Sequence, residues 1–377
     1  MSDTISTQQF IETKCIHADH DQIDVITGDI APPLHLSTTF DRSLQSQYSY
    51  SRTSNPTRTR VESVLGELDN GTSLVYSSGQ AAISAVIYTI QPRIIYLLPN
   101  SYYGTQRIID IYINTYKQFN INIICIDDVK QLNVNERIDL IWCESPNNPY
   151  CEIADFDELS KLSHSHHSIL VCDCTLASPV GMQPIQYGVD IVMHSATKYL
   201  AGHSDVTAGV LTLAKHHQEL YDKLLLQRTE HGNVPGQLEC YLLLRSLRTL
   251  PIRYQRTSYN AVRLCEYLQS HPAIKKVHHP SLPSHQYHTL AQKYCLYHTS
   301  CFAIELHNER QAKLLSDYTR LGRNATSLGG CETLIDYRFH WDDQMPLNLT
   351  RLNIGIEHID DLIADFKQAL DRVVDVI

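Results

Sequence analysis

The sequence lacks the glycine-rich motifs that bind nucleotides. Neither Gly-x-Gly-x-x-Gly nor Gly-x-x-x-x-Gly-Lys occurs in its 377 residues, which argues against a dinucleotide-binding or P-loop protein. No apolar run approaches the roughly 20 residues that span a bilayer. The first residues are polar, without the apolar centre of a signal peptide. We therefore expect neither a membrane protein nor a secreted one.

Disulfide and metal signatures are also missing. The 11 cysteines form no Cys-x-x-Cys pair, and several lie in apolar runs, so we expect reduced thiols in a cytoplasmic protein. Histidine is abundant, but His164–His167 and His216–His217 follow polar, helix-like segments. No second cluster completes a coordination set, so no metal is expected. The net charge of -10 argues against nucleic acid and anionic membranes as partners.

What is present is an alternation of short apolar runs and helical segments. Such a pattern predicts an α/β protein whose mostly parallel sheet is covered on both faces. Asn55 and Pro56 are predicted to start a helix that stops at Asn70-Gly71. A long helical stretch is predicted over about 218–250. The smaller part is predicted to have a strand near 301–306 and helices near 261–270, 309–318 and 360–374. The predicted strands of the sheet are 74–76, 94–98, 121–126, 140–143, 169–173, 191–194 and 208–213. We expect an N-terminal arm (1–50), a large domain (51–250) and a smaller α/β domain (251–377).

One lysine and one carboxylate carry most of the functional information. Lys198 follows the apolar run 189–193 and two hydroxyl residues, and Asp173 ends the apolar run that begins at Ile169. Ligands of parallel sheets lie beyond the carboxyl ends of the strands, so the amine and the acid can face each other there. Pyridoxal phosphate needs a lysine for a Schiff base and an acid for its ring nitrogen. The spacing therefore predicts pyridoxal phosphate as the cofactor.

Sequence blocks along nearly the whole chain resemble the Cys/Met-metabolism family of pyridoxal-phosphate enzymes, which includes cystathionine γ-synthases, cystathionine β- and γ-lyases and methionine γ-lyases. The resemblance implies a fold of the PLP-dependent transferase (aspartate-aminotransferase) type with a seven-stranded large-domain sheet. It also implies a homodimer or homotetramer with shared active sites. The blocks that carry it are 48–58, 77–83, 102–105, 144–149, 173–175, 195–198, 202–205, 245–249, 327–329 and 351–355.

The phosphate of the cofactor needs several donors. Ser77-Ser78-Gly79-Gln80 opens a helix, whose N-terminal N–H groups suit a phosphate, and the glycine lets the backbone come close. Gln80 stands where many relatives have methionine, and the implied contact is through the main chain. Ser195 and Thr197 would add hydroxyl donors. The resemblance implies that Tyr50 and Arg52 complete the phosphate site from the neighbouring subunit.

The resemblance assigns the remaining site residues. Tyr102 is expected to stack on the cofactor ring and to act in catalysis with Lys198, although the family's Tyr-Gly-Gly-Thr is Tyr-Tyr-Gly-Thr here. Asn148 is expected to hydrogen-bond the ring hydroxyl, and Thr175 is expected at the cofactor beside Asp173. Arg351 would bind the α-carboxylate of a sulfur amino acid by a bidentate contact. Ser327 would support that carboxylate or orient Lys198.

The same site residues predict the first step of the reaction, but they do not decide which bond is broken next. Lys198 would remove the Cα proton while the cofactor absorbs the charge, and a C–S bond would then break. We favour β-elimination over γ-elimination from cystathionine, because Thr326 stands where several γ-enzymes carry glutamate. The first alternative is a cystathionine γ-synthase-like replacement on an activated homoserine ester with cysteine. The second is a non-catalytic paralogue.

Overall fold

A seven-stranded sheet forms the centre of the larger part of the protein. The computed structural model describes residues 9–22, 27–44, 46–117, 122–125, 137–340 and 342–374. The strands lie in the order β1-β7-β6-β5-β4-β2-β3. Only β7 runs against the others, because its pairings with β1 and β6 are antiparallel and the remaining pairings are parallel. The predicted mostly parallel seven-stranded sheet is confirmed.

The strand bounds agree with the predicted ones to within a few residues. The ends of the predicted strand 121–126, Ile121 and Ile126, lie outside the described residues. Long apolar runs make strands here because both faces of the sheet are covered by helices. The strands are β1 (Gly71–Tyr76), β2 (Ile94–Leu97), β3 (Asn122–Cys125), β4 (Leu140–Glu144), β5 (Ile169–Asp173), β6 (Ile191–His194) and β7 (Gly209–Ala214).

Helices on the two faces bury alternate side chains of the strands. On one face, Trp142 and Val171 pack with α3 (Gly79–Ile90), α4 (Tyr103–Thr115) and α7 (Gln218–His231). The other face packs on α2 (Pro56–Leu68), α5 (Phe156–His166) and α8 (Gln237–Leu247), with the short α6 (Ser178–Gly181) nearby. The predicted start of α2 is confirmed, since the Asn55 side chain accepts the N–H of Thr57.

The long helical stretch predicted over 218–250 is wrong as a single element. Helix α7 ends at Gly232, whose φ of 71° is left-handed, and Pro235 lies in the turn before α8. A third helix, α9 (Leu250–Leu268), begins well before the predicted position 261. Glycine in a left-handed C-cap and proline just beyond it are ordinary helix stops, so this break was readable in the sequence.

A five-stranded sheet organises the C-terminal part, in the order β10-β11-β12-β9-β8. Its core joins Phe302, Leu352 and Phe366 with the inner faces of α9, α11 and α12. A smaller α/β unit is confirmed, whereas the boundaries at 50/51 and 250/251 stay a prediction. The elements are β8 (Ile274–His278), α10 (His288–Tyr294), β9 (Cys301–Leu306), α11 (Glu309–Tyr318), β10 (Arg323–Asn324), β11 (Leu334–Tyr337), β12 (Leu349–Asn353) and α12 (Ile359–Val374).

The N-terminal part is not extended throughout. A short helix, α1 (Ile11–His17), buries Cys15 in the core shared with α2 and α8. Arg248 Nη2 donates to both carboxylate oxygens of Asp19, at 2.8 Å each, and so holds the end of this segment in place. Between Thr27 and the start of α2, the described residues are mostly irregular, and Ile30 and Leu36 are exposed. Across the described ranges, no helix combines the length and apolarity needed to cross a bilayer.

Candidate active site

A cleft of about 580 Å³ lies at the carboxyl ends of the parallel strands and is closed on one side by the smaller sheet. The carboxyl ends of β4 and β5 put Glu144 beside Asp173 in register. Every predicted site residue except Tyr50 and Arg52 borders this cleft. These residues are Gly79, Gln80, Tyr102, Asn148, Asp173, Thr175, Ser195, Thr197, Lys198, Ser327 and Arg351.

Asp173 is held in place by the turn that follows β5. Its Oδ1 accepts the Thr175 hydroxyl at 2.6 Å and the Thr175 N–H at 3.1 Å. The same hydroxyl oxygen accepts the N–H of Ser195 at 2.8 Å, which joins the ends of β5 and β6. Burial raises the pKa of Asp173, while the two Thr175 hydrogen bonds oppose that rise. Thr175 therefore fixes the acid and favours its charged form.

A second buried carboxylate, Glu144, begins the sequence block 144–149, and no role is predicted for it from the sequence. Its two oxygens accept the backbone N–H of Tyr102 at 2.6 Å and of Asn148 at 3.1 Å. Burial, and next the charge of Asp173, raise the pKa of Glu144 well above its ordinary value. Glu144 thus ties together the two loops that carry the predicted ring-contacting residues.

Lys198 reaches the cleft from the loop after β6. Its Nζ donates to the Ser327 hydroxyl at 2.8 Å. Burial, and next the positive charge of Arg351, lower the pKa of Lys198 to about 8. An amine whose pKa lies near neutrality can be a nucleophile and can exchange protons. Ser327 itself has a φ of 79°, a conformation that a non-glycine residue adopts only under constraint.

Arg351 lies on β12 at the opposite side of the cleft. Its Nη2 donates to the Ser327 carbonyl at 2.8 Å and lies 3.0 Å from Asp336 Oδ2. Arg338 Nη1 lies 3.0 Å from that same oxygen. Arg338 borders the cleft too, and no role is predicted for it from the sequence because its position depends on the turn after β11.

The predicted phosphate end of the cleft is built on the start of α3. The Ser78 side chain accepts the N–H of Ala81 and caps the helix. A β-carbon added at Gly79 would come within 3.2 Å of Ser195, so glycine leaves room for an anion between the two loops. Gln80 donates to the Gly104 carbonyl at 3.3 Å and ties α3 to the Tyr102 loop.

Tyr50 and Arg52 are not brought into the cleft of their own chain. Arg52 donates to the Thr229 carbonyl at 2.7 Å, and its guanidinium lies 5.8 Å from the centre of the Tyr50 ring. Tyr50 is 48% exposed. Their predicted role in a neighbouring subunit's site stays a prediction.

Two further observations concern residues outside the prediction. Tyr103 and Arg107 border the cleft beside Tyr102, and the Arg107 guanidinium lies 4.9 Å from the centre of the Tyr103 ring. Far from the cleft, Asp190 Oδ1 lies 2.6 Å from His217 Nε2 and 4.0 Å from His216 Nε2. These three side chains are close enough together to hold a metal ion, and the expectation that no metal is bound stays a prediction. Asp190 also accepts the Leu170 N–H, so it fastens the start of α7 to the sheet.

Pyridoxal phosphate fits the donor set of the cleft. Lys198 offers an amine of lowered pKa to an aldehyde, and Asp173 offers a buried acid to a ring nitrogen. Asn148 has a buried amide oxygen without a hydrogen-bond partner, and such a group is satisfied when a polar ligand binds. The open helix start at Gly79 suits the phosphate.

Known proteins that are similar in sequence and in fold also indicate pyridoxal phosphate as the cofactor. The model for the family "Cys/Met metabolism PLP-dependent enzyme" matches residues 12–371. A cystathionine gamma-lyase of Dictyostelium discoideum is 34% identical over 96% of this chain and 98% of its own. A cystathionine beta-lyase of Coxiella burnetii is 31% identical over 96% and 97%. The solved cystathionine gamma synthase of Xanthomonas oryzae pv. oryzae, in complex with aminoacrylate and cysteine, superimposes with a TM-score of 0.92 at 28% identity, covering 98% of this chain and 100% of that one.

The match extends over both parts of the chain and includes the buried acid, the lysine and the arginine that meet in the cleft. These relatives are more than 30% identical to this chain, and the alignments cover almost all of both chains, which establishes the family and the cofactor. The protein belongs to the Cys/Met metabolism family of pyridoxal-phosphate-dependent enzymes.

Proposed function

We propose that this enzyme cleaves the C–S bond of cystathionine-type amino acids, with β-elimination as its main reaction. The observation that carries the proposal is the meeting of Lys198, Asp173 and Arg351 around one cleft. An amine, a buried acid and a guanidinium there match the cofactor and the carboxylate of an amino-acid substrate. The relatives named above include a cystathionine gamma-lyase and a cystathionine beta-lyase.

Lys198 is proposed to hold the cofactor and then to move protons. Bound pyridoxal phosphate supplies an electron sink for the charge that develops at Cα. The ammonium of Lys198 loses its proton easily because burial and Arg351 lower its pKa to about 8. Nζ can then take the Cα proton and return one to the departing sulfur. Ser327, which accepts from Nζ at 2.8 Å, orients the amine between these positions.

Asp173 and Arg351 are proposed to fix the two ends of the reacting assembly. Asp173 would hold the ring nitrogen of the bound cofactor, and its Thr175 hydrogen bonds favour the carboxylate form that would keep this nitrogen protonated. Arg351 uses one nitrogen for Ser327 and Asp336 and offers the rest of its fork to the α-carboxylate. Tyr102 would cover the ring of the bound cofactor, and Glu144 sets the position of Tyr102 through its backbone N–H.

The preference for β-elimination depends on Thr326, which borders the cleft beside Ser327. β-Elimination needs only the Cα proton to leave, whereas γ-elimination needs a second proton to leave Cβ. A hydroxyl at position 326 is a much weaker base than a carboxylate at neutral pH. With water, β-elimination of cystathionine gives homocysteine, pyruvate and ammonia, and γ-elimination gives cysteine, 2-oxobutyrate and ammonia.

The deciding experiment is incubation of cofactor-loaded enzyme with L-cystathionine and identification of the keto acid. We expect pyruvate in excess over 2-oxobutyrate. The matched control is Lys198→Ala, which should stay folded and lose at least about a thousandfold in turnover, as expected for removal of a nucleophile that is also a base. Unchanged turnover in this variant would refute the role of Lys198, and 2-oxobutyrate as the main product would refute β-elimination.

The γ-synthase alternative has its own readout. Enzyme supplied with cysteine and an activated homoserine ester would form cystathionine and release the acid of the ester. Formation of cystathionine at a rate above that of its cleavage would replace the lyase proposal. We also propose a cytoplasmic homodimer or homotetramer, supported by the free thiols among the described cysteines and by the position of Tyr50 and Arg52 outside their own cleft.

A further inference from the structure

Beside the cleft, at the end where Arg351 lies, the charges of three buried side chains do not cancel. Arg338 and Arg351 converge on one oxygen, Asp336 Oδ2, at 3.0 Å each. The side chains of Arg338, Arg351 and Asp336 are only 9%, 5% and 4% exposed. Arginine stays protonated in proteins, so two guanidinium groups share one carboxylate. One positive charge is left in excess at this end of the cleft.

Arg338 also has a donor without an acceptor. Its Nε is buried and has no hydrogen-bond partner, although the residue borders the cleft. A buried donor left unpaired is costly, because it has given up its bonds to water. Such an arrangement, together with the excess charge, is suited to a bound anion.

We propose that Arg338 is a second carboxylate-recognition residue, which keeps Asp336 from neutralising Arg351 and so leaves a positive charge for the α-carboxylate of the substrate. The inference rests on the proposed function, in which Arg351 binds that carboxylate. Asp336 is the Cα partner of Arg351 across β11 and β12, so the backbone of the sheet keeps the two side chains next to each other. Arg338, from the turn after β11, is the partner that shares its charge.

The shared oxygen favours one carboxylate over two. Because both guanidinium groups contact the same atom of Asp336, they lie side by side and do not span the two carboxylates of an extended cystathionine. Arg338 is therefore expected to act on every amino acid that enters, whether or not it has a second acidic group. This distinguishes Arg338 from a residue that selects cystathionine by its distal carboxylate.

The test compares two small ligands that differ by the carboxylate. Cofactor-loaded enzyme is titrated with glycine and with methylamine, and binding is followed by the visible absorbance of the bound cofactor. The variants are Arg338→Met, Asp336→Asn, the double variant, and Arg107→Met as the matched control. Arg107 is an arginine of the same cleft whose guanidinium lies against Tyr103. Thermal unfolding of each variant reports whether it is folded.

We expect Arg338→Met to raise the Kd of glycine about tenfold, the size typical of a lost contact to a charged group, and the Kd of methylamine by less than about threefold. The double variant should recover glycine binding to within about threefold of wild type, because an uncharged asparagine at position 336 no longer offsets the charge of Arg351. Arg107→Met should leave both values nearly unchanged.

Three results would overturn the proposal. These are equal weakening of glycine and methylamine by Arg338→Met, failure of the double variant to recover when it is folded, and a loss confined to L-cystathionine turnover while glycine binding is normal. Glycine binding is read without turnover. If the enzyme did not cleave cystathionine, the proposed function would be refuted, but the titrations with glycine and methylamine would still test the role of Arg338.

Discussion

At the scale of single residues, the active-site amine is set up by its surroundings. Lys198 has an ordinary lysine side chain, but burial removes the water that stabilises its charge, and Arg351 adds repulsion. Its hydrogen bond to Ser327 fixes the direction of Nζ. Neither effect is visible in the local sequence, because Arg351 and Ser327 come from the smaller unit.

The lowered pKa of Lys198 leads to a pH prediction. Only the neutral amine can attack the cofactor aldehyde, so the rate of covalent pyridoxal-phosphate uptake by cofactor-free protein should rise with pH and level off above about 8. In Arg351→Met the midpoint should move to higher pH, because a positive charge that lowers the pKa is removed. Stopped-flow absorbance measures the rate.

The matched control for that experiment is Arg107→Met, since Arg107 is not among the groups that shift Lys198. It should leave the midpoint where it is in the wild type. A wild-type midpoint near 10.5, the ordinary value for lysine, would show that the amine is not desolvated. An unchanged midpoint in Arg351→Met would show that Arg351 does not act on it.

Residue types with a distinctive pattern were predictable, and those without one were not. Lys198 and Asp173 end apolar strands, so their position at the cleft followed from the general rule for parallel sheets. Glu144 also ends a strand, and the same rule could have found it. Arg338 follows a short strand in a turn, and no periodicity indicates which way such a side chain points.

At the scale of elements, the fold depends on close approach between strand β7 and the start of α3. A β-carbon on Gly209, the first residue of β7, would lie 2.2 Å from the Ser78 carbonyl and 2.9 Å from the Gly79 Cα. Both of these are backbone atoms, which cannot rotate aside. The strand therefore supports the loop that is proposed to hold the phosphate.

Gly209→Ala is predicted to damage cofactor binding as well as stability. Forcing the Ser78–Gly79 backbone away from β7 should lower the free energy of unfolding by about 1–3 kcal/mol, the usual cost of overpacking, and should weaken pyridoxal-phosphate affinity. Denaturant unfolding and cofactor titration measure the two effects. Gly236→Ala is the control, because its new β-carbon would meet only the movable end of Glu239. Equal effects of the two substitutions would contradict the proposed support of the loop.

The strands were predictable from the sequence because each is a short apolar run between turn residues. Helix boundaries were less so where polar residues dominate. The sequence 218–250 alternates charged and apolar residues without a clear stop except at Gly232 and Pro235, and the structure breaks it there. Helix α1 was missed because it is short and only Cys15 in it is fully buried, with Ile11 partly buried against the same core.

At the scale of the whole molecule, two of the predicted phosphate-binding residues do not reach the cleft of their own chain. Tyr50 and Arg52 lie outside the cleft, in an N-terminal part whose apolar side chains are unusually exposed. Ile30, Leu36 and Leu44 are 98%, 69% and 77% exposed, and exposed apolar groups of this size commonly mark an interface between subunits. A second copy is the occupant that the family resemblance implies.

This shared-site arrangement predicts complementation between two inactive variants. Arg52→Ala and Lys198→Ala should each be nearly inactive, because one lacks a phosphate ligand and the other lacks the catalytic amine. In a mixed dimer, one cleft would receive both defects and the other neither. Unfolding and refolding the two variants together at equal amounts should then restore about a quarter of wild-type activity, since half of the dimers are mixed and each has one intact site.

The control is the pair Asp173→Ala and Lys198→Ala, whose affected residues both border the cleft of their own chain. In that mixed dimer each cleft keeps one defect, so no activity should return. Recovery in the first pair alone would assign Arg52 to the neighbouring site. No recovery in the first pair, with both variants refolded as dimers, would place Arg52 in its own subunit. A monomeric wild type with full activity would remove the requirement for a partner altogether.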